Sequence, residues 1–152
     1  MLLSIASVRV LVFSFILLSL LCLLALRGTY TSELTKETQV YPRVCGQGNY
    51  HYETIQVNVQ TNGVYSFYSN DTNITYGYIY ENDFDPSNPT NNLLAESSIS
   101  CRRYHFKFGT YLKINKTYIL VVTTFEPYVQ GEFSLFVIGP NNVSLNRTCK
   151  YF

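Results

Sequence analysis

Tryptophan is absent from this 152-residue chain, methionine occurs once, and histidine only twice. Charged residues make up 14 % of it, and eleven Lys and Arg against ten Asp and Glu leave a net charge of +1. From Cys45 onward seven cationic residues face eight acidic ones. That balance supplies no basic field for a phosphate backbone, which excludes nucleic acid as a partner. The two histidines, His51 and His105, and cysteines some fifty residues apart offer no paired ligands of the C-x₂-C kind that zinc requires. Catalytic signatures are missing as well: there is no G-x-S-x-G, H-E-x-x-H or phosphate loop, and "CGQG" at 45–48 has too few glycines to cradle a nucleotide. Nothing in the spacing singles out a Ser-His-acid set. The chain reads as a non-enzyme without metal or cofactor.

What is present is aromatic and apolar. Aromatic residues reach 16 %, fourteen of them Tyr, the composition of a folded, strand-rich chain rather than a disordered one. The length accommodates one domain. At the N-terminus Val10 to Leu26 is uncharged and lies between Arg9 and Arg27. As a helix it spans roughly 25 Å, a little under a hydrocarbon core of about 30 Å. It reads either as a membrane anchor or as a signal peptide, for which Ala25 and Gly28 are the candidate cleavage positions. Residues 1–28 are assigned to this segment and the polar, mixed-charge stretch 29–44 to a linker. The domain proper is placed at 45–147, with 148–152 as a tail.

Five N-x-[ST] acceptors, Asn70, Asn73, Asn115, Asn142 and Asn146, fall in turns, strand edges or the tail, whereas Pro89 excludes Asn88. They indicate a glycoprotein of the secretory pathway, either single-pass at the cell surface or secreted. Cys22 lies in the apolar segment, which leaves Cys45, Cys101 and Cys149 in the domain. Three is an odd number, and Cys149 on the polar tail is the natural one to be left over.

Alternation then sets the strands. "HYETIQVNVQ" alternates Ile55, Val57 and Val59 with Gln56, Asn58 and Gln60, and "TNG" at 61–63 followed by "VYSFYS" predicts a hairpin. "ITYGYIYE" places Tyr76, Tyr78 and Tyr80 on one face, a candidate ligand surface if it meets solvent. "RYHFKFGTYLKI" places Tyr104, Phe106 and Phe108 opposite Arg103, His105 and Lys107, an ordinary solvated basic face. "TYILVVTTF" and "GEFSLFVIG" are apolar on both faces, as in central strands. With no helical period after residue 45, the fold class is all-β: an antiparallel β-sandwich of jelly-roll type, preceded by one N-terminal hydrophobic helix.

The loop between the tyrosine strand and Cys101 begins with Asp83, Asp85 and Ser87 at the 1, 3, 5 spacing of a calcium-binding EF-hand loop. Position 6 is Asn88 instead of Gly and position 12 is Leu94 instead of Glu, so the loop reads as a connection. Asp83 and Asp85 are the places to look for a weak Ca²⁺ contact.

From Cys45 to Arg147 the order of segments resembles the bacterial pre-peptidase C-terminal (PPC)-like β-sandwich module and the uncharacterised eukaryotic secreted or membrane proteins built around it. The resemblance rests on Gly63, Tyr65 and Phe67 in "GVYSF", on "TYGYIY", "FDPSNPTNNLL" and "TYILVVTTF", and on "GEFSLF". It implies a non-catalytic, Ca²⁺-tolerant accessory module with a glycan or protein ligand, and a disulfide between Cys45 and Cys101. The chain departs from the family's acidic positions, carrying "AESS" and Ile74 there, with Glu96 the one carboxylate kept. The leading expectation is therefore an extracellular or lumenal binding or adhesion module. A structural subunit dimerised through a Cys149 disulfide is the alternative, and a small secreted hydrolase comes third.

Overall fold

The computed structural model describes residues 26–44, 46–69, 71, 76–97 and 106–148. Ten strands fill most of them: β1 (Leu26–Leu34), β2 (Val40–Pro42), β3 (Asn49–Val59), β4 (Gly63–Ser69), β5 (Tyr76–Glu81), β6 (Leu93–Glu96), β7 (Lys107–Leu112), β8 (Tyr118–Thr123), β9 (Gly131–Ile138) and β10 (Val143–Arg147). There is no helix among the described residues. The proposed N-terminal helix lies outside them, except that Leu26 is already the first residue of β1.

The strands form two antiparallel sheets, one ordered β1-β9-β4-β7 and the other β10-β3-β8-β5-β6, with β2 paired to the start of β3. Period-2 alternation decides which side chains meet between them. Tyr65, Phe67, Phe108, Leu112, Phe133, Leu135 and Val137 of the four-stranded sheet pack on Ile55, Val57, Ile79, Tyr118, Leu120 and Val122 of the other. This shared core makes the protein a β-sandwich. Full burial of each such side chain is worth about 1.5–3 kcal/mol. Gly77, at an inward position of β5, leaves room for Phe106: a Cβ there would stand 2.3 Å from that ring.

Three sequence expectations are corrected. Residues 29–44 are not a linker but supply β1, paired with β9 from Leu26↔Ile138 to Leu34↔Gly131, and β2, paired with β3. The "TNG" turn does not make a hairpin, because β3 and β4 belong to different sheets. A turn of that length also serves a crossover when the hydrophobic faces of its two strands meet across the core. Finally, β9 buries only Phe133, Leu135 and Val137, leaving its other face partly open, whereas β8 is buried on both.

Candidate functional site

The tyrosine stripe is the first candidate, and the structure removes it from solvent. Tyr76, Tyr78 and Tyr80 project from the outer face of the larger sheet, yet each is fully buried. They belong to a second apolar cluster with Tyr50, Tyr52, Ile119 and Val121. Two segments cover it. Tyr41 arrives from β2, and Phe84 arrives from the acidic loop, 5.4 Å from Tyr41 and 4.9 Å from Tyr80 by ring centroids. The stripe is thus not a ligand face as it stands. That the three tyrosines share one face was legible; that it is the outer face and is covered was not, because the two covering residues sit in stretches that lack strand alternation.

Arg43 enters the same cluster and is 6 % exposed. Its guanidinium carbon lies 4.5 Å from the Tyr50 ring centre and 4.4 Å from that of Tyr76, and Nη1 donates to the Thr124 carbonyl at 3.1 Å. Cation–π contact together with a hydrogen bond is the kind of compensation a buried guanidinium needs. The polar tips of the cluster are partly satisfied: Tyr52 donates to Gln39 Oε1 at 2.7 Å and Tyr80 to the Pro89 carbonyl at 2.9 Å. Burial pushes the hydroxyls of Tyr41, Tyr78 and Tyr80 above the ordinary tyrosine range. Burial likewise raises the Glu96 carboxyl, against the opposing pull of Arg43. The hydroxyl of Tyr78 and Glu96 Oε2 make no hydrogen bond, although the two residues are cross-strand partners.

The acidic loop is built for covering. Phe84 is buried while Asp83 and Asp85, on either side of it, are exposed. The Asp85 carboxylate accepts hydrogen bonds from the Ser87 amide at 2.9 Å and the Ser87 hydroxyl at 2.6 Å, which hold it below the usual carboxylate range. Asp85 is therefore engaged in an Asx-type turn. Among the described residues no group of three His, Cys, Asp or Glu is placed to hold a metal ion. Of the glycan acceptors, Asn115, Asn142 and Asn146 are exposed. Asn70, Asn73, Cys45, Cys101 and Cys149 lie outside the described residues, as do Arg103 and His105. His51 is buried, its Nδ1 within 3.2 Å of the Thr38 hydroxyl and 3.1 Å of the Thr38 carbonyl.

Two carboxylate sites escape the sequence reading. Glu53 is 4 % exposed and receives the Tyr30 hydroxyl, the Ser32 hydroxyl at 2.9 Å and Arg147 Nη2 at 3.2 Å. It joins β1 of one sheet to β3 and β10 of the other. Burial, then the hydrogen bond to Glu53, raises the Tyr30 hydroxyl well above its ordinary range. The signal was parity, since Glu53 shares the inward face of Ile55 and Val57.

The second site is open. A groove of about 350 Å³ is lined by Thr31, Ser32, Glu33, Glu132, Phe133 and Ser134. Glu33 and Glu132 stand directly opposite each other on β1 and β9, both exposed. Beside the groove, the Asp71 carboxylate accepts the Ser134 amide at 2.5 Å and the Ser69 hydroxyl at 3.0 Å, extending the β4–β9 ladder past its last pair. Sequence reasoning missed this groove because Glu33 fell in the supposed linker. No family model matches the chain, and no curated protein matches it.

Proposed function

We propose that the chain is a non-catalytic binding or adhesion module of the secretory pathway, held at a membrane by Val10–Leu26 or released by its removal, and that the β1/β9 groove receives its glycan or protein ligand. One observation carries the reading. Like charges placed directly opposite on neighbouring strands destabilise a sheet, yet Glu33 and Glu132 occupy such a pair with no cation bridging them among the described residues. A ligand that donates hydrogen bonds to both carboxylates relieves the repulsion, and Thr31 and Ser134 add hydroxyls that both donate and accept. Sugar hydroxyls and the Lys or Arg side chains of a protein have this chemistry.

The exposed Asn146 supports the compartment, because a glycan on it displaces no core residue. The engagement of His51 by Thr38 supports a non-catalytic reading. We assign the sandwich to the jelly-roll type and to the PPC-like modules. Supporting this, β1, β9, β4 and β7 alternate with β3, β8, β5 and β6 in the crossed order of two interleaved Greek keys. The "GVYSF", "TYGYIY", "TYILVVTTF" and "GEFSLF" segments become β4, β5, β8 and β9. The test is a glycan and protein-ligand array probed with the full chain in detergent micelles. A binder lost in Glu33→Gln supports the groove, whereas binders indifferent to Glu33 and Glu132 sink it.

A further inference from the structure

The apolar run Val10–Leu26 ends where β1 begins, so no spacer separates it from the sandwich. Leu26 is level with Ile138, which is level with Ser66. Beyond that level, toward the end at which the chain enters, β4 continues for three residues to Gly63, opposite Leu112. At about 3.3 Å per residue the end of the sandwich therefore projects ~10 Å past Leu26. Each polar layer of a bilayer is only about 5–8 Å thick. A membrane that holds Leu26 at its surface thus meets this end of the domain.

The residues there suit such a contact. Val64 is 62 % exposed and Tyr111, its cross-strand partner, 54 %; Ile114 and Ile138 are 43 % and 38 % exposed. Tyr is favoured at the headgroup level, and aliphatic side chains at the acyl boundary just beneath it. The turns that carry them are tied together: Asn62 Oδ1 accepts the Ile114 amide at 2.8 Å, and Asn141 Nδ2 donates to the Thr61 hydroxyl at 3.2 Å. Charge is nearly balanced. Lys113 and Lys116 stand against Glu81, which pairs with Lys116 at 2.7 Å, and Asp83 beyond it, while Arg27 follows Leu26. The contact consequently needs no anionic lipid.

We infer that this end of the sandwich, with Val64, Tyr111 and Ile114 foremost, is seated in the headgroup layer of the bilayer in which Val10–Leu26 is anchored, leaving the β1/β9 groove at the membrane-distal end. The inference rests on the tethered form of the proposed function. It also divides the glycan acceptors. Asn115 and Asn142 lie in the seated turns and stay bare, whereas Asn146, four residues after Asn142 and away from this end along β10, is free to be modified. Asn115 has its own reason to be Asn, a φ of 59° in the left-handed region that Asn tolerates.

The absence of Trp makes the test direct. Full-length Tyr111→Trp, Ile114→Trp and Tyr128→Trp variants each carry a single indole; Tyr128 is 63 % exposed in the loop at the opposite end. They are reconstituted in phosphatidylcholine vesicles with plain or brominated acyl chains. The expected result is loss of emission in brominated vesicles for positions 111 and 114 and none for 128, with unchanged melting temperatures. Equal emission in both vesicles at 111 and 114, or equal quenching at all three positions, overturns the seating while leaving the anchor intact. Failure of the chain to stay on alkaline-washed vesicles overturns the anchor as well. A glycan on either Asn115 or Asn142 of membrane-bound protein from eukaryotic cells also contradicts the inference.

Discussion

The guanidinium carbon of Arg43 lies 4.4 Å from the ring centre of Tyr76, which ties the stretch just before Cys45 to the first residue of the tyrosine strand. Tyr41, two residues earlier, meets Tyr52 edge-on at 5.0 Å. The outer face of the larger sheet is therefore a second core whose cover comes from β2 and from Phe84. Tyr76, Tyr78 and Tyr80 are thus closed to a ligand while this cover is in place.

Removal of residues 1–44 is expected to abolish cooperative folding, because β1 and β2 leave with them and Phe133 and Tyr52 lose their cover. Tyr41→Ala alone should cost about 3–5 kcal/mol, the usual range for deleting a large buried aromatic side chain. Urea unfolding of the truncated and substituted chains measures both. A truncated chain that melts like the full one contradicts the role given to these strands.

How much of this was legible in the residues depends on how many neighbours a segment needs. Strands β3, β4, β5 and β8 show alternation or continuous apolarity and were placed correctly from sequence. β1 was not: "GTYTSEL" alternates Tyr30 and Ser32 with Thr29, Thr31 and Glu33, a polar-on-polar pattern whose inward face is explained by the buried Glu53. β2 and β6 are only three and four residues long, too short for any period to show. The sheet assignment of β3 and β4 depends on pairings with β8 and β9 more than sixty residues away, which no local turn signal encodes. The candidate groove was illegible for the same reason, since Glu33 and Glu132 meet only through the β1–β9 register.

Glu53 is expected to outweigh its charged partner. Glu53→Ala leaves the Tyr30 and Ser32 hydroxyls without their acceptor between the sheets and should cost about 2–4 kcal/mol, the penalty of orphaning buried donors. The Arg147 side chain is 56 % exposed, so Arg147→Ala should cost no more than ~1 kcal/mol. Parallel denaturant melts decide the order, and equal losses for the two variants contradict it.

Glu96 supplies a pH dependence. Its folded pKa is raised above the ordinary 4.5 chiefly by burial, so between those two values the folded state binds more protons than the unfolded state. Stability then falls as pH rises through that window. Glu96→Gln, which cannot ionise, is expected to melt higher than the wild type at pH 7, with the difference vanishing below pH 4.5. Melting curves across this range check the sign, and a variant less stable at pH 7 than the parent opposes it.

The groove is tested most directly by measuring affinity for whichever array ligand the full chain binds, with the wild type set against the Glu33→Gln, Glu132→Gln double variant. The account predicts at least a tenfold loss of affinity, about 1.4 kcal/mol, together with an unchanged or higher melting temperature, because the opposed charges are gone. Undiminished affinity in the double variant, at equal stability, would show that the ligand is held elsewhere.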